Sequence, residues 1–134
     1  MVPLAIREAL KLVDESRIVE LATDLIRIPS VTGGEKDVVL HAAKELEASR
    51  LPVELRGPSD RPILQSVINP ERSPFIVFNG HLDTVPAEDA WAWTNDPFEP
   101  HVEDGRLFGR GSSDMKASCA VIMHVMEILN GLGV

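Results

Sequence analysis

The chain has 134 residues, of which 44% are hydrophobic and 25% are charged. This composition excludes a disordered or fibrous protein, and the length suits one domain with a core. The formal net charge of −8 argues against nucleic acid or an anionic membrane as a partner, because both require clustered lysine and arginine.

Helical periodicity dominates the first part of the chain. Apolar residues recur at helical spacing over residues 4–28, and Pro29 ends the pattern because its ring cannot continue a helix. We predict a helix here, with a break near residues 14–16.

A second helix is predicted over residues 35–49, after a short turn. Ser30 or Thr32 is placed to cap this helix, since serine and threonine oxygens accept from free backbone N–H groups. Its buried face is predicted to consist of Val38, Val39, Ala42, Ala43 and Leu46.

Short runs rich in β-branched and aromatic residues follow and predict strands at 53–55, 63–68 and 75–78. The last run has no polar alternation, which is typical of a central strand covered on both faces of an α/β sheet. A long loop at 84–105 is predicted to be functional because of its length, and residues 106–108 form a further short strand.

The longest apolar helix is predicted over residues 115–130, between a glycine-containing turn at 109–114 and a stop at Gly131. One face of this helix is predicted to contain Ile122, Val125, Met126 and Leu129. Helices on either side of a buried strand indicate the α/β fold class.

A histidine and an aspartate directly follow the predicted central strand. Ligands of open α/β sheets bind beyond the carboxyl ends of strands, so His81 and Asp83 would emerge where sites form. Residues two apart in extended backbone point to the same side, so Asp83 can orient His81 as a metal ligand. An isolated triplet of this kind is more often a solvated strand end.

Asp114 lies in the turn before the last helix, where a carboxylate can either cap the helix or lean into a cleft. Taken alone, the helix cap is the better interpretation. The turn is not a phosphate-binding P-loop, because its second glycine and its lysine fall at the wrong spacing.

These motifs are far more specific together than alone. The chain contains LIRIPSVT at 25–32, HLDTVP at 81–86, Trp93, DPF at 96–98 and DGRLFGRGSSDMK at 104–116. In this order they closely resemble the M20 metallopeptidases, and the resemblance covers essentially the whole chain.

The resemblance implies a three-layer α/β/α catalytic domain of the zinc-peptidase type that hydrolyses an amide bond. It implies two Zn²⁺ ions per complete site, with Co²⁺ or Mn²⁺ as substitutes. By this match His81 would bind one zinc, Asp83 would be the catalytic residue that orients His81, and Asp114 would bridge both metals. The family also tends to have a cis peptide at the position of Asp114–Met115.

The chain also departs from the family pattern. Ala117 stands where glycine is common and Phe108 where tyrosine is common. The family's adjacent glutamates, further ligands and lid domain have no counterpart, so residues 1–134 are interpreted as the N-terminal portion of the catalytic domain, with a partial metal site and no activity alone. A homodimer is expected only for the full-length protein.

Two alternatives remain open. The chain could be a non-catalytic module, either a truncated pseudoenzyme or a subunit completed by a partner chain. It could also be an α/β fold in which His81 and Asp114 have no metal role. For the hydrolase, the substrate is a small N-acyl amino acid or peptide, and acetylornithine, succinyl-diaminopimelate and other acyl amino acids are not distinguished.

The remaining histidines and the tryptophans are interpreted as structural or solvated. His41 is expected on an exposed helix face, His101 in the loop and His124 in a helix, whereas Trp91 and Trp93 are expected to pack the loop down.

The single cysteine excludes a disulfide framework within the chain. Cys119 is expected to be a small core residue and is compatible with a reducing compartment. The opening sequence MVPLAIR lacks the pattern of a signal peptide, and no later stretch is long and apolar enough to span a bilayer. The sequence therefore predicts a cytoplasmic protein.

Overall fold

The computed structural model describes residues 4–73, 76–88 and 90–133. The described chain combines helices with two separate two-stranded antiparallel sheets. In chain order the elements are α1 (Leu4–Lys11), α2 (Glu15–Arg27), α3 (Lys36–Ala48), β1 (Glu54–Arg56), β2 (Ile63–Gln65), a 3₁₀ turn (Ala90–Ala92), β3 (His101–Glu103), β4 (Arg106–Phe108) and α4 (Lys116–Gly131).

The predicted break in the first helix is confirmed, and Asp14 is its cause. The Asp14 carboxylate accepts hydrogen bonds from the backbone N–H of Ser16 at 2.9 Å and of Arg17 at 3.3 Å. These bonds cap α2, because they satisfy N–H groups that have no partner inside the helix. Helix α2 ends at Arg27, just before Pro29, as predicted.

Helix α3 is confirmed together with its buried face, but the predicted caps are wrong. The cap position is Glu35, which makes no side-chain capping bond and instead accepts from the backbone N–H of Gly33 at 2.7 Å. The hydroxyls of Ser30 and Thr32 bond elsewhere, to the segment around residue 83. The buried face consists of Val38, Val39, Ala42, Ala43 and Leu46.

Helix α4 packs along α2 and forms the core with it and α3. Ile122, Val125, Met126 and Leu129, which were predicted to share one face of α4, are partly buried. The contact of α4 with α2 includes a polar bond that hydrophobic periodicity does not register, from the backbone N–H of Asp14 to Nε2 of His124 at 3.0 Å. The buried residues of α4 are Lys116, Ala120, Met123 and His124.

The strands form two antiparallel pairs. Glu54 of β1 lies opposite Gln65 of β2, and His101 of β3 lies opposite Phe108 of β4. The strands predicted at 53–55, 63–68 and 106–108 are therefore present, with the second one shorter. The loop predicted at 84–105 contains the 3₁₀ turn and β3, so His101 lies in a strand, where its ring stacks on Phe108 at 5.2 Å.

The predicted central strand at 75–78 is not found in its described part. Phe75 lies outside the described residues, and residues 76–78 form no strand, with Ile76 80% exposed. An apolar run becomes a buried strand only when neighbouring strands pair with it, and no described strand lies alongside. Among the described residues, no helix combines the length and the apolar character needed to cross a membrane.

Candidate metal and catalytic site

The segment containing His81 and Asp83 is held by the turn after α2. The backbone N–H of Thr84 donates to the carbonyl of Ser30 at 2.8 Å, and the N–H of Thr32 donates to the carbonyl of Thr84 at 3.2 Å. The hydroxyl of the buried Ser30 donates to the carbonyl of Leu82 at 2.7 Å. Two segments far apart in sequence are thus fixed side by side.

The imidazole of His81 lies between two carboxylates. Its Nε2 is 3.0 Å from Oδ1 of Asp114, and its Nδ1 is 3.1 Å from Oδ1 of Asp83. Nδ1 also lies 3.2 Å from the Asp83 carbonyl oxygen. The structure thus brings together the three residues named from the sequence.

Asp83 is well placed to hold the imidazole in one tautomer. Thr32 donates its hydroxyl to Oδ2 of Asp83 at 2.6 Å, and this bond is the main reason why the pKa of Asp83 lies below its ordinary value. Burial opposes this effect, and His81 adds to it. Both neighbours of Nδ1 are acceptors, so a metal-bound imidazole would carry its proton on Nδ1 and present the lone pair of Nε2 on the side of Asp114.

The facing pair of His81 and Asp114 fits a divalent metal ion. A neutral Nε2 and a carboxylate oxygen are both acceptors, and their close approach is favourable only with a proton or a metal cation between them. Zinc bond lengths of 2.0–2.2 Å place two ligands of a tetrahedral site about 3.3 Å apart, close to the 3.0 Å observed. Within the described residues, no group of three or more His, Cys, Asp and Glu side chains could hold a metal.

Asp114 projects from the turn before α4 and is 84% exposed. Its interpretation as a helix cap is wrong, because the cap position is Met115 and no side chain caps α4. The Asp114–Met115 peptide is cis, which confirms the geometry implied by the family resemblance. The carboxylate is therefore free to face His81.

Lys116 anchors this turn from inside the molecule. Its ammonium group is buried and donates to the carbonyls of Leu25 at 2.9 Å and Ile28 at 2.7 Å, at the end of α2. Burial lowers the pKa of Lys116 to about 8. Gly111 lies over the lysine stem, where a Cβ would meet Lys116 at 3.0 Å, so this position leaves no room for a side chain.

Cys119 contacts the backbone of His81 from the core side. Its thiol donates to the His81 carbonyl at 3.3 Å and packs against the core, as expected for a small core residue. Burial raises the pKa of this thiol, so it stays protonated. A Cβ on Gly80 would lie 3.0 Å from the Cys119 sulfur, so the backbone passes closely over this residue.

The other residues that were interpreted as structural divide into two groups. His124 is buried and bonded to Asp14 and Glu127, which confirms its structural role. His41 is half-buried rather than exposed, and Trp91 is 87% exposed and does not pack the loop down. Helical spacing and loop position do not determine how exposed His41 and Trp91 are, because the exposure of a side chain depends on neighbours from distant segments.

An open cleft of about 360 Å³ lies beside the facing pair. Thr32, Trp93 and Arg110 are among the lining residues for which the sequence predicted no role in the site. The sequence signal that could have pointed to these three residues is their position inside the family-like motifs. The remaining lining residues are His81, Asp83, Thr84, Val85, Gly109, Gly111, Ser112, Ser113 and Asp114.

Comparison with known sequences gives matches to one peptidase family and to desuccinylases. Residues 77–134 match the profile of Peptidase family M20/M25/M40. The chain is 40% identical over 110 residues to a succinyl-diaminopimelate desuccinylase of Rhodospirillum centenum, a match covering 78% of this chain and 28% of the relative. The chain is thus similar to peptidase family M20 over residues 77–134.

Two further relatives carry the same description. A succinyl-diaminopimelate desuccinylase of Halorhodospira halophila is 38% identical, over 84% of this chain and 29% of the relative. That of Xanthobacter autotrophicus is 42% identical, over 77% of this chain and 28% of the relative. The chain thus spans less than a third of the length of these relatives. The profile match includes His81, Asp83 and Asp114.

Proposed function

We propose that this chain forms part of a zinc-dependent hydrolase that cleaves the amide bond of small N-acyl amino acids or peptides. Residues 1–134 would be the N-terminal portion of a three-layer α/β/α catalytic domain, in a cytoplasmic protein that forms homodimers when complete. The similarity to the family and the names of the relatives support the reaction class. The partial coverage of those relatives supports the assignment as a portion of a domain.

One observation carries the proposal, namely the 3.0 Å approach of His81 Nε2 to Asp114 Oδ1 with Nδ1 held by Asp83. In the proposed site His81 binds one zinc through Nε2, and Asp114 bridges two zinc ions. When bound, the metal supplies a Lewis acid for the amide carbonyl and lowers the pKa of water. Asp83 keeps the proton on Nδ1, so that the lone pair of Nε2 stays available.

The described part of the chain provides fewer donors than a catalytic zinc site requires. Such a site uses about three protein ligands per metal, and amide hydrolysis also needs a general base. We therefore expect the 134-residue chain to bind zinc weakly and to show little or no hydrolysis by itself. Robust zinc-dependent deacylation by the purified chain would show that this expectation is wrong.

Zinc titration by calorimetry tests the metal site directly. Each of the substitutions His81→Gln and Asp114→Asn should weaken zinc binding roughly tenfold or more, because each removes one of two ligands. The matched controls His101→Gln and Asp104→Asn make the same chemical changes outside the facing pair and should leave the affinity unchanged. Equal zinc uptake by all four variants and the parent would support the alternative in which His81 and Asp114 have no metal role.

A further inference from the structure

Arg110 occupies the same cleft as the facing pair of His81 and Asp114. Its backbone N–H donates to the carbonyl of Pro97 at 2.7 Å, which fixes the start of the side chain. The guanidinium donates through Nη2 to the carbonyl of Pro86 at 3.3 Å. Its central carbon lies 5.1 Å from the centre of the Trp93 ring. The cation is therefore held in place within the cleft.

Most of the hydrogen-bonding capacity of Arg110 is unused. A guanidinium has five N–H donors, and the described structure uses one of them, in a long bond to Pro86. The Nε group is buried and has no hydrogen-bond partner within the described residues. No described carboxylate forms an ion pair with Arg110, although the chain is strongly acidic. A buried donor without a partner is unusual and indicates a missing acceptor.

The surroundings favour one kind of acceptor. The two carboxylates of the cleft, Asp83 and Asp114, both lie against His81, so Arg110 is left as the cationic group among the described lining residues. A planar guanidinium matches a planar carboxylate through paired hydrogen bonds. The Trp93 ring lies 5.1 Å from the central guanidinium carbon and covers one side of the cation, which removes part of its hydration and suits binding of an organic anion.

We propose that Arg110 binds a carboxylate group of the substrate and selects for substrates that carry one. The inference deepens the proposed hydrolase, and it rests on that function for the identity of the ligand as a substrate. A cleft of about 360 Å³ has room for a small molecule that extends from the facing pair to Arg110. Substrates with a free carboxylate are therefore favoured over neutral amides of equal size.

Succinate and its neutral analogue succinamide are the probes for this proposal. The chain has two tryptophans, so Trp91→Phe leaves Trp93 as the sole fluorophore, directly beneath Arg110. In metal-depleted buffer at constant ionic strength, succinate should change the Trp93 fluorescence saturably and shift the Nε–H resonance of Arg110 in nitrogen-correlated NMR spectra. Succinamide should do neither. Equal effects of the two probes, or no shift at Arg110, would overturn the proposal.

Matched variants locate the binding group. In the Trp91→Phe background, Arg110→Gln should weaken succinate binding roughly tenfold or more, because charge-assisted hydrogen bonds are lost. Arg110→Lys keeps the charge but not the paired geometry and should give an intermediate affinity. Arg106→Gln removes an exposed arginine outside the cleft and should have no effect. Unchanged binding by Arg110→Gln would refute the proposal.

The test is independent of the zinc site. Metal-depleted buffer removes any contribution of a metal ion to succinate binding, and the zinc titration above uses no carboxylate ligand. A failure at Arg110 would leave the metal proposal intact. Conversely, a failure of His81 and Asp114 to bind zinc would leave the Arg110 result unchanged.

Discussion

The two carboxylates beside His81 have different environments. Asp83 receives the hydroxyl of Thr32 and is partly covered, so its charge is stabilised and its position is fixed. Asp114 is largely exposed and contacts only the imidazole among the described polar groups. In the proposed site, this difference suits Asp83 to orient the imidazole and Asp114 to bind metal.

The orienting role of Asp83 predicts a loss of zinc affinity without the loss of a ligand. Asp83→Asn keeps the size of the side chain but removes the charge that holds the Nδ1 proton of His81. We expect zinc affinity to fall about 10–100-fold, the usual effect of removing such a partner. Calorimetric titration measures it, with the exposed Asp60→Asn as the control. An unchanged affinity would mean that Asp83 has only a structural role.

At the scale of elements, a charged cluster fastens α2, α3 and α4 together. Arg17 of α2 donates to Glu45 of α3 at 3.1 Å and to Glu127 of α4 at 2.9 Å. Ser49 and His124 also bond to Glu127. Burial raises the pKa of Glu127, but the bonds from Arg17, His124 and Ser49 outweigh burial and hold this pKa below its ordinary value.

Glu127 is therefore expected to stabilise the helix packing more than other partners of Arg17. Glu127→Gln should lower the free energy of unfolding by about 2 kcal/mol at pH 7, because it weakens charge-assisted bonds in a side chain only 15% exposed. Glu20 also contacts Arg17 at 2.9 Å but is 62% exposed, so Glu20→Gln should cost less than about 1 kcal/mol. Urea denaturation compares the two variants.

The same cluster predicts a direction for the pH dependence. Since the pKa of Glu127 is lower in the folded chain than in the unfolded chain, its stabilisation is present above the ordinary value of 4.5 and is lost as the pH falls below it. The difference between the parent and Glu127→Gln should therefore shrink on acidification. A difference that grows below pH 4.5 would contradict this assignment.

At the scale of the whole molecule, the core lies among the helices, while the apolar run before His81 faces outward. Ile76 is 80% and Val77 73% exposed, although both stand in a segment with the composition of a buried strand. Exposed apolar segments of high strand propensity favour association. The segment that leads to His81 is thus an exposed apolar surface.

Self-association of the isolated chain should depend on this run. Ile76→Lys is expected to reduce concentration-dependent association, because it places a charge on the exposed apolar segment. Sedimentation velocity over a range of concentrations measures the effect. Val102→Lys, at a 53% exposed position on β3, is the control. Equal association of both variants would show that another surface mediates self-association.

Local signals in the sequence were sufficient to predict where the helices lie. The break before α2 follows from Asp14, the end of α2 from Pro29, and the buried face of α3 from apolar spacing. These features depend on residues within a turn or two of each other, so they can be read along the chain. The motifs around His81 and Asp114 were also sufficient to indicate the family.

The tertiary structure decided everything that depends on distant partners. The hydroxyls of Thr32 and Ser30 bond to the segment around Asp83 rather than cap a helix. Arg110 lies in the cleft without an ion-pair partner among the described residues. The tertiary structure also leaves residues 76–78 exposed. Hydrogen bonds and burial between segments far apart along the chain arise only when the chain folds, and no local periodicity records them.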